Sequence, residues 1–277
     1  GDMLDLYSLN EAFKGVKKVY HCAAQVSIGG QKGDELIDMN VTGTENVMGL
    51  CIEHQVHKLC HVSSVGALGN SLNGALTDEN TNWTSSKNRS AYSVSKFKSE
   101  MVVWRGIQEG LNAVIVNPSV IIGPGFWKSG SGSLFTKAAG GMKYFTKGST
   151  GFVDARDVSH SMIALMDSDV SSERFIINSE NLGYKELFHD IAQEMNVKAP
   201  KKEATRNLLQ AAVLFDTMAS AVGIKKKEIT KEIVKASLSK SGYSNKKIKE
   251  AIGLSFRPIK DSIVHTAEKF KEEFTLS

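Results

Sequence analysis

Short apolar segments alternate with longer amphipathic segments along the first half of the chain. Residues 16–22, 58–64 and 112–118 form apolar runs with the length and composition of buried β-strands. Between these runs, residues 34–54 and 92–108 place apolar side chains at the three- and four-residue spacing of amphipathic α-helices. Strands that alternate with helices form parallel sheets through right-handed crossovers. The pattern therefore predicts an α/β fold built on a parallel sheet.

The second half of the chain has a different pattern. Residues 126–150 are rich in Gly and Ser and predict loop and short helix, whereas residues 174–178 predict one more short strand. From residue 187 onward the spacing is mostly helical, and it predicts helices at 187–195, 206–222, 227–238 and 259–274. We therefore predict a sheet domain at 1–178 and a smaller, mostly helical C-terminal cap at 179–277.

Composition excludes several classes of protein. Of the 277 residues, 41% are hydrophobic and 23% are charged, which is typical of a globular chain rather than a disordered or fibrous one. The net charge of +4 is too small to indicate a nucleic-acid partner. No apolar run approaches the roughly 20 residues of a membrane span, so we expect no membrane partner. Cys22, Cys51 and Cys60 form no disulfide framework and indicate buried, reduced thiols in a cytoplasmic protein.

Tyr92 and Lys96 form the first candidate for chemistry. Both lie near the start of the helix predicted at 92–108, and their spacing of four residues puts them on one helical face. A neighbouring ammonium group favours the phenolate and lowers the pKa of a tyrosine, which lies near 10 in the free side chain. Such a tyrosine can exchange a proton with a carbonyl or an alcohol. The same pair also occurs often by chance, so its context decides the interpretation.

The ends of the predicted strands supply that context. In a parallel sheet, ligands bind at the carboxyl ends of the strands. Small or polar residues follow all three strands there: Ala23 and Ala24 after the first, Ser63 and Ser64 after the second, and the segment 117–125 (NPSVIIGPG) after the third. The sequence therefore predicts one crevice, with the Ser64 hydroxyl placed to hold a substrate oxygen.

Together, these segments resemble the extended short-chain dehydrogenases/reductases of the NAD(P)-dependent epimerase/dehydratase family. The matching segments are GDMLD, VYHCAA, NVTGTEN, HVSSVGALG, YSVSK, NPSVIIGPG, FVDARDV and, near the C-terminus, SNKKIKEAIGLSFRPIKDSI. They follow the family's order and cover nearly the whole chain. The resemblance implies a Rossmann-type doubly wound sheet that binds NAD or NADP. It also implies hydride transfer between the nicotinamide and a substrate carbon.

The resemblance assigns catalytic roles to particular residues. Tyr92 matches the acid/base, and Lys96 matches the lysine that lowers the tyrosine pKa and hydrogen-bonds the nicotinamide ribose. Ser64 matches the serine that orients the reacting oxygen, with its neighbour Ser63 as the weaker candidate. Asn40 resembles the helix asparagine that supports the lysine and a water molecule.

The resemblance also implies cofactor contacts. Asp2 and Met3 match the pair that borders the adenine ring. Ala23 and Ala24 match the stretch along the adenosine and pyrophosphate. The contacts beside the nicotinamide and its ribose are expected from Ser63, Tyr92, Lys96, Pro118 and Ser119.

One feature of the family is not found ahead of the first predicted strand. The family begins with a strand and a Gly-rich turn that binds the pyrophosphate at a helix N-terminus. Here the nearest cluster, Gly29, Gly30 and Gly33, follows the strand at 16–22 and predicts a loop. Without a preceding strand, that strand would be an exposed sheet edge. We therefore expect the natural protein to have a further N-terminal segment of roughly 60 residues, which would also hold the residue that separates NAD from NADP.

Several residues around the expected crevice are candidates for the substrate site. Gln25 and Ser27 follow the first strand, and Phe126, Trp127 and Phe152 lie in or beside the loop 125–150, which we expect to contribute to this site. The three aromatic residues could equally pack between the two lobes.

Other polar residues have structural interpretations. Asp157 is expected to cap the helix after FVDARDV. No metal site is expected from His54, His57, Cys60 and His61, because a turn and opposite strand faces separate them.

The sequence leaves the branch of the family open. NPSVIIGPG and the segment 175–195 favour a dihydroflavonol-reductase-like carbonyl reductase that acts on a small-molecule substrate. A nucleotide-sugar epimerase or dehydratase is the alternative, although Leu68 stands where those enzymes often carry Tyr. A non-catalytic dinucleotide sensor is the third reading, and it would typically have lost the tyrosine or the lysine. Relatives often pair through two long helices, so we expect a homodimer through 34–54 and 92–108.

Overall fold

The computed structural model describes residues 1–26, 33–71, 74–87, 89–221 and 230–275. The α-helices in these ranges are α1 (Leu6–Phe13), α2 (Gly33–Glu53), α3 (Ala91–Gln108), α4 (Gly132–Ala139), α5 (Ala155–Asp167), α6 (Tyr184–Glu194), α7 (Arg206–Ala221), α8 (Lys231–Leu238), α9 (Lys246–Ile252) and α10 (Ile259–Thr275). The strands are β1 (Lys18–His21), β2 (Lys58–Val62), β3 (Ala113–Pro118), β4 (Val120–Ile122), β5 (Tyr144–Phe145), β6 (Ser149–Asp154), β7 (Glu173–Ile177), β8 (Glu180–Gly183) and β9 (Lys202–Glu203).

The main sheet is parallel throughout, with the strand order β1-β2-β3-β7. Tyr20 pairs with Cys60, and Cys60 pairs with Val114, so the ends of the first three strands come into register. In the part of the chain that the structure describes, β1 is an edge strand and the Tyr20 side chain on it is exposed. The predicted parallel α/β architecture is confirmed.

Helices cover both faces of this sheet, and the side-chain alternation along β3 explains why the strand is apolar at every position. Ala113 and Ile115 pack against α2 and α3, whereas Val114 and Val116 pack against α5 and α9 on the opposite face. Successive strand residues point to opposite faces. A strand buried on both sides is therefore a continuous apolar run, as in the sequence.

A second core lies around the smaller sheet, in which β6 pairs with β4 in parallel and with β8 antiparallel. Helices α4, α6 and α10 pack on it through a cluster that includes Phe135, Leu187 and Ile263. This cluster joins residues of the predicted cap, such as Leu187 and Ile263, to residues before 178, such as Phe135. However, Ile248 of α9 packs in the core of the main sheet. The domain boundary at residue 178 therefore stays a prediction.

The structure differs from the sequence-based expectations at several elements. The N-terminal residues contain helix α1, which the sequence analysis did not predict and which is capped by the Asp5 carboxylate. The described part of the helix predicted at 227–238 is α8, which begins at Lys231 after its N-cap Thr230. The residue that caps α5 is Asp154, which accepts from the Arg156 backbone N–H at 2.7 Å. Asp157 lies inside the helix, where its carboxylate accepts from the backbone N–H of Arg257 at 2.7 Å.

The cysteines also differ from expectation. Cys51 and Cys60 are buried, as predicted, but Cys22 is exposed at the end of β1, and all three are free thiols. Several features of the sequence analysis lie outside the described residues, namely Ser27, the pair Gly29 and Gly30, residue 222 of the helix predicted at 206–222, and residues 227–229 of the helix predicted at 227–238.

Candidate active site

Helix α3 brings Tyr92 and Lys96 to the carboxyl end of the main sheet. The helix begins after Ser90, whose hydroxyl accepts from the backbone N–H of Ser93 at 3.1 Å and satisfies one of the free amides of the first turn. Tyr92 therefore lies in the first turn and Lys96 in the second, on one face of the helix. This juxtaposition was predicted from the spacing alone.

Lys96 is buried between α3 and the sheet. Only 4% of the residue is exposed, and its Nζ donates to the carbonyl oxygen of Val62, the last residue of β2, at 2.8 Å. Burial lowers the pKa of Lys96 to about 8, although Cys22 and Glu100 act in the opposite direction. The ammonium group therefore sits at the strand end, with a pKa close to the physiological range.

Ser64 lies beside Tyr92, as the sequence predicted. Its hydroxyl accepts from the backbone N–H of Gly66 at 3.0 Å and so caps the short 3₁₀ helix at Val65–Ala67. Burial raises the pKa of Tyr92 above its usual value, and a side-chain hydrogen bond with Ser64 partly offsets this. The expected lowering of this pKa by Lys96 is not found in this arrangement. Burial dominates, and the ammonium group is engaged by the Val62 carbonyl.

Asn40, on helix α2, holds the segment after β1 rather than Lys96. Its Oδ1 accepts from the backbone N–H of Gln25 at 2.7 Å, and its Nδ2 donates to the carbonyl oxygen of Gln25 at 2.9 Å. The same Nδ2 lies 3.0 Å from the Oγ of Ser95, next to Lys96 in sequence. One buried amide therefore joins α2, α3 and the segment 22–26 that follows β1.

The alternative serine, Ser63, has a different role. Its hydroxyl donates to the Oε2 of Glu100 at 2.7 Å, inside a buried network that also contains Asn117 and Arg174. Sequence reasoning missed this network. The only local signal was the position of Glu100, one helical turn after Lys96 on α3.

Two histidines near the strand ends also lie close to the candidate site, which the sequence analysis did not predict. His21 and His61 are neighbours across β1 and β2, with ring centroids 5.1 Å apart. His21 Nε2 lies 3.0 Å from the hydroxyl oxygen of Thr44 on α2, whereas neither ring nitrogen of buried His61 has a hydrogen-bond partner. Both side chains are neutral, because burial lowers the pKa of each.

A cavity of about 610 Å³ opens beside the end of β1. Its wall is formed by the segment after β1, the loop after β4, the start of α4 and the start of α5, with the lining residues Ala24, Gln25, Val26, Ile121, Gly123, Pro124, Gly125, Phe126, Ser129, Gly130, Ser131, Gly132 and Ala155. None of these lining residues is charged. The cavity therefore offers an apolar surface with amide and hydroxyl groups.

The aromatic substrate candidates separate into two groups. Phe126 is 88% exposed and lines the cavity, with a φ of 51° that is rare for a bulky residue. Trp127 and Phe152 are only 5% and 0% exposed, and both pack in the second core. Trp127 also donates to the carboxylate of Glu273 at 2.6 Å. The prediction of substrate contacts is therefore corrected for Trp127 and Phe152, whose surfaces are used in packing.

The predicted cofactor contacts are also placed unequally. Ala23 is exposed and Ala24 half-buried beside the cavity, whereas Pro118 and Ser119 are buried at the end of β3, next to Ile177 of β7. Met3 lies against α2, where its carbonyl oxygen accepts from the Asn46 Nδ2 at 2.9 Å. The Met3 side chain fills the space over Gly43, where an added Cβ would come within 2.5 Å of its sulfur.

Two kinds of feature are absent from the described residues. No group of three or more His, Cys, Asp or Glu side chains is arranged to hold a metal ion there. No helix in the same ranges is long and apolar enough to cross a membrane.

The fold and site define a nicotinamide-dependent protein of the short-chain dehydrogenase/reductase type. The family model of the NAD dependent epimerase/dehydratase family matches residues 1–178. The chain belongs to this family. The resemblance stated from the sequence is thus confirmed, as is a nicotinamide dinucleotide as the class of cofactor.

Curated relatives fall among reductases and sterol-converting proteins. Sterol demethylase protein B of Methylococcus capsulatus is 31% identical over 78% of this chain, which spans 66% of that protein. Cinnamoyl-CoA reductase 1 of Petunia hybrida is 24% identical over 98% of this chain and 76% of its own length. A putative dihydroflavonol 4-reductase of Synechocystis is 24% identical over 98% of this chain and 80% of its own length.

Solved structures share the fold. The crystal structure of gox2253 superimposes with a TM-score of 0.83 and 29% identity over 99% of this chain and 84% of its own. UDP-glucose 4-epimerase of Thermotoga maritima, solved with UDP-glucose, gives a TM-score of 0.78 at 19% identity, over 99% of this chain and 84% of its own.

Proposed function

We propose that this protein is an NAD(P)-dependent carbonyl reductase that transfers a hydride to a ketone or aldehyde carbon, with Tyr92 as the acid. The observation that carries this proposal is the arrangement of Tyr92, Lys96 and Ser64 at one strand end. Ser64 lies near enough to Tyr92 for a side-chain hydrogen bond that lowers the Tyr92 pKa, and Lys96 lies one turn further along the same helix. A phenol, a hydroxyl and an ammonium group in this arrangement match the needs of proton transfer to a carbonyl oxygen.

The roles follow from the chemistry of each group. The nicotinamide of the cofactor supplies or accepts the hydride. Ser64 would hold the substrate oxygen through its hydroxyl, and Tyr92 would give that oxygen a proton as the hydride arrives at carbon. Because burial raises the Tyr92 pKa, the phenol is protonated at neutral pH and ready to act in the direction of reduction. Positioning of both reactants in one crevice would supply much of the rate enhancement.

The residues at the strand ends suit a nicotinamide nucleotide. The Lys96 ammonium group is a donor for ribose hydroxyl oxygens, and the small side chains of Ala23 and Ala24 leave room for a flat ligand beside the sheet. Gly66 lies close to two serine hydroxyls: an added Cβ would lie 3.1 Å from the Ser93 Oγ and 3.4 Å from the Ser64 Oγ. We infer that Lys96 would hold the nicotinamide half of the cofactor, with Ala23 and Ala24 along its adenosine and pyrophosphate side.

The cavity favours an uncharged substrate. A nucleotide sugar carries a diphosphate, which proteins usually bind with Arg or Lys side chains. The described lining of the 610 Å³ cavity holds no such side chain, and Phe126 adds an exposed aromatic surface. This observation supports an apolar carbonyl compound, such as the dihydroflavonol in the name of the Synechocystis relative. The nucleotide-sugar epimerase remains the second candidate, supported by the fold it shares with UDP-glucose 4-epimerase.

Two assays test the proposal. Thermal melts with NAD⁺, NADH, NADP⁺ and NADPH should show a stabilisation by one cofactor pair, about 2.7 kcal/mol at a hundredfold excess over Kd. Cofactor oxidation would then be followed with a dihydroflavonol, cinnamoyl-CoA, a 3-ketosteroid and UDP-4-keto-glucose as probes. We expect turnover with an uncharged ketone and none with the nucleotide sugar.

A matched pair of variants assigns the acid. Tyr92→Phe should lower kcat by roughly 10²–10⁴-fold and keep the melting shift with cofactor. Tyr144→Phe removes a hydroxyl from a partly exposed tyrosine on β5 and should keep full activity. Equal turnover by the two variants would remove Tyr92 from the proposed reaction, and turnover of the nucleotide sugar alone would favour the epimerase. A third outcome would favour the sensor: the unmodified chain turns over none of the probes, and the Tyr92→Phe protein binds the cofactor with the same affinity as the unmodified chain.

A further inference from the structure

A single buried carboxylate connects the helix that carries Tyr92 to the strand ends. Glu100 lies on α3 one turn after Lys96, with none of its side chain exposed. Its Oε2 accepts from the Ser63 hydroxyl at 2.7 Å and from the Asn117 Nδ2 at 2.8 Å. Its Oε1 accepts from Arg174 of β7 at 2.9 Å and from the Trp104 indole at 3.3 Å.

The same network reaches the main chain of Ser64. Asn117 Nδ2, already bonded to Glu100, also donates to the Ser64 carbonyl oxygen at 3.0 Å. Ser63, the other partner of Oε2, is joined to Ser64 by a peptide bond. Glu100 is therefore connected to Ser64 by two routes. One runs through the hydroxyl of Ser63, the preceding residue, and the other through the Asn117 side chain at the end of β3. Tyr92 lies on the same helix as Glu100. The network therefore fixes the distance between the Ser64 and Tyr92 hydroxyls.

We propose that Glu100 is a positioning residue of the reaction, whose carboxylate sets the position of Ser64 relative to Tyr92 by tying the ends of β2 and β3 to helix α3. The inference rests on the proposed function, since it assigns Ser64 and Tyr92 to the chemistry. It adds a residue that contacts neither substrate nor cofactor.

The two carboxylate oxygens of Glu100 contact different groups, and this distinguishes a positioning role from that of a structural ion pair. A buried ion pair is by itself weak evidence for any role, because desolvation offsets much of its attraction. Here, however, the ion pair with Arg174 uses Oε1 alone. Oε2 is given entirely to the two groups that hold Ser64. Removal of Ser63's hydroxyl therefore tests the positioning contact while the ion pair stays intact.

Three variants make the test. Glu100→Gln replaces one acceptor oxygen by a donor, Ser63→Ala removes one of the two donors to Oε2, and Glu109→Gln is the control, an exposed glutamate at the end of the same helix. We expect Glu100→Gln to lower kcat by about 100-fold, the effect of a misplacement of about 1 Å. Ser63→Ala should lower kcat by roughly 5–10-fold, since one of the two hydrogen bonds remains. The control should match the unmodified chain, and the KM for cofactor should change less than about threefold in all three.

Two readouts separate positioning from a general loss of folding. Glu100 raises the pKa of Lys96, so in Glu100→Gln the alkaline limb of the kcat profile should move to lower pH. Backbone amides of residues 63–67 should exchange faster with deuterium in Glu100→Gln and Ser63→Ala, but not in Glu109→Gln. If Glu100→Gln fails to fold, Ser63→Ala carries the same test.

The inference is overturned if Ser63→Ala keeps both the kcat and the exchange rates of the unmodified chain. Failure of the proposed function has a different signature, in which the unmodified chain turns over none of the carbonyl probes. In that case the exchange measurement still decides, because faster exchange at 63–67 supports the positioning contact and unchanged exchange rejects it.

Discussion

The imidazole rings of His21 and His61 lie with their centroids 5.1 Å apart, on paired positions of neighbouring strands at the floor of the candidate site. Burial lowers the pKa of His21 to about 4 and that of His61 well below its usual value. Both rings are therefore neutral in the folded chain at pH values where the unfolded chain, with histidine pKa values near 6.5, takes up protons.

This pair predicts a loss of stability in mild acid. Because the unfolded state binds more protons between about pH 6.5 and pH 4, the free energy of unfolding should fall as the pH falls through that window. Above about pH 6.5 the stabilising contribution of the two neutral histidines should be fully present. His21 alone should contribute about 3 kcal/mol. His61→Leu should flatten the profile in urea unfolding at pH 7.5, 6 and 5. His160→Gln, at an exposed position of α5, should leave the profile unchanged, and an equally steep profile for His61→Leu would reject the explanation.

Lys96 predicts the alkaline limit of activity. Its pKa of about 8 in the free chain implies that kcat/KM for carbonyl reduction declines as the pH rises past that value and the ammonium group loses its proton. Lys96→Arg should keep the positive charge and remove the decline near pH 8, at a lower rate because the guanidinium group has a different shape. Lys98→Arg, at an exposed position two residues further along α3, should behave like the unmodified chain. A decline near pH 8 that persists in Lys96→Arg would assign it to another group.

Neighbouring aromatic residues should respond in opposite ways. Phe126→Ala should raise the KM for an apolar carbonyl several-fold with little change in stability, because the side chain is 88% exposed and lines the cavity. Trp127→Ala should lower the free energy of unfolding by about 3–5 kcal/mol, because it empties a packed core. Urea unfolding and steady-state kinetics on both variants measure these effects. If Trp127→Ala keeps its stability and raises the KM for the apolar carbonyl, Trp127 contacts the substrate and the packing role is contradicted.

Asn40 should control the segment that follows β1. Asn40→Ala leaves the backbone N–H and C=O of Gln25 without their partner, and we expect it to lower stability by about 2 kcal/mol. Faster hydrogen exchange at residues 22–26 and a raised KM for cofactor should accompany that loss. Asn46→Ala is the matched control, because it breaks one hydrogen bond from α2 to the carbonyl oxygen of Met3. If the control accelerates exchange at 22–26 equally, Asn40 has no specific role there.

The fold was predictable to the extent that it follows from local spacing. Apolar runs on a two-sided strand and apolar positions on a helical face are properties of short segments, and they located β2, β3, α2 and α3 within a few residues. Tyr92 and Lys96 were found for the same reason, since four residues make one helical turn. Helix α1 was missed because it has only eight residues, and of these Phe13 alone is buried while Leu6 and Tyr7 are exposed.

The sequence by itself determined the parallel α/β architecture, the family, and the tyrosine, lysine and serine of the candidate site. Only the tertiary structure decided which polar groups those residues meet. Glu100 and Arg174 are 74 residues apart, and Asn40 and Gln25 are 15 residues apart, so no local spacing could pair them. Burial likewise separated Phe126 from Trp127 and raised the pKa of Tyr92. The physical reason is that burial and long-range hydrogen bonds depend on how the elements pack, whereas periodicity depends only on the backbone of each element.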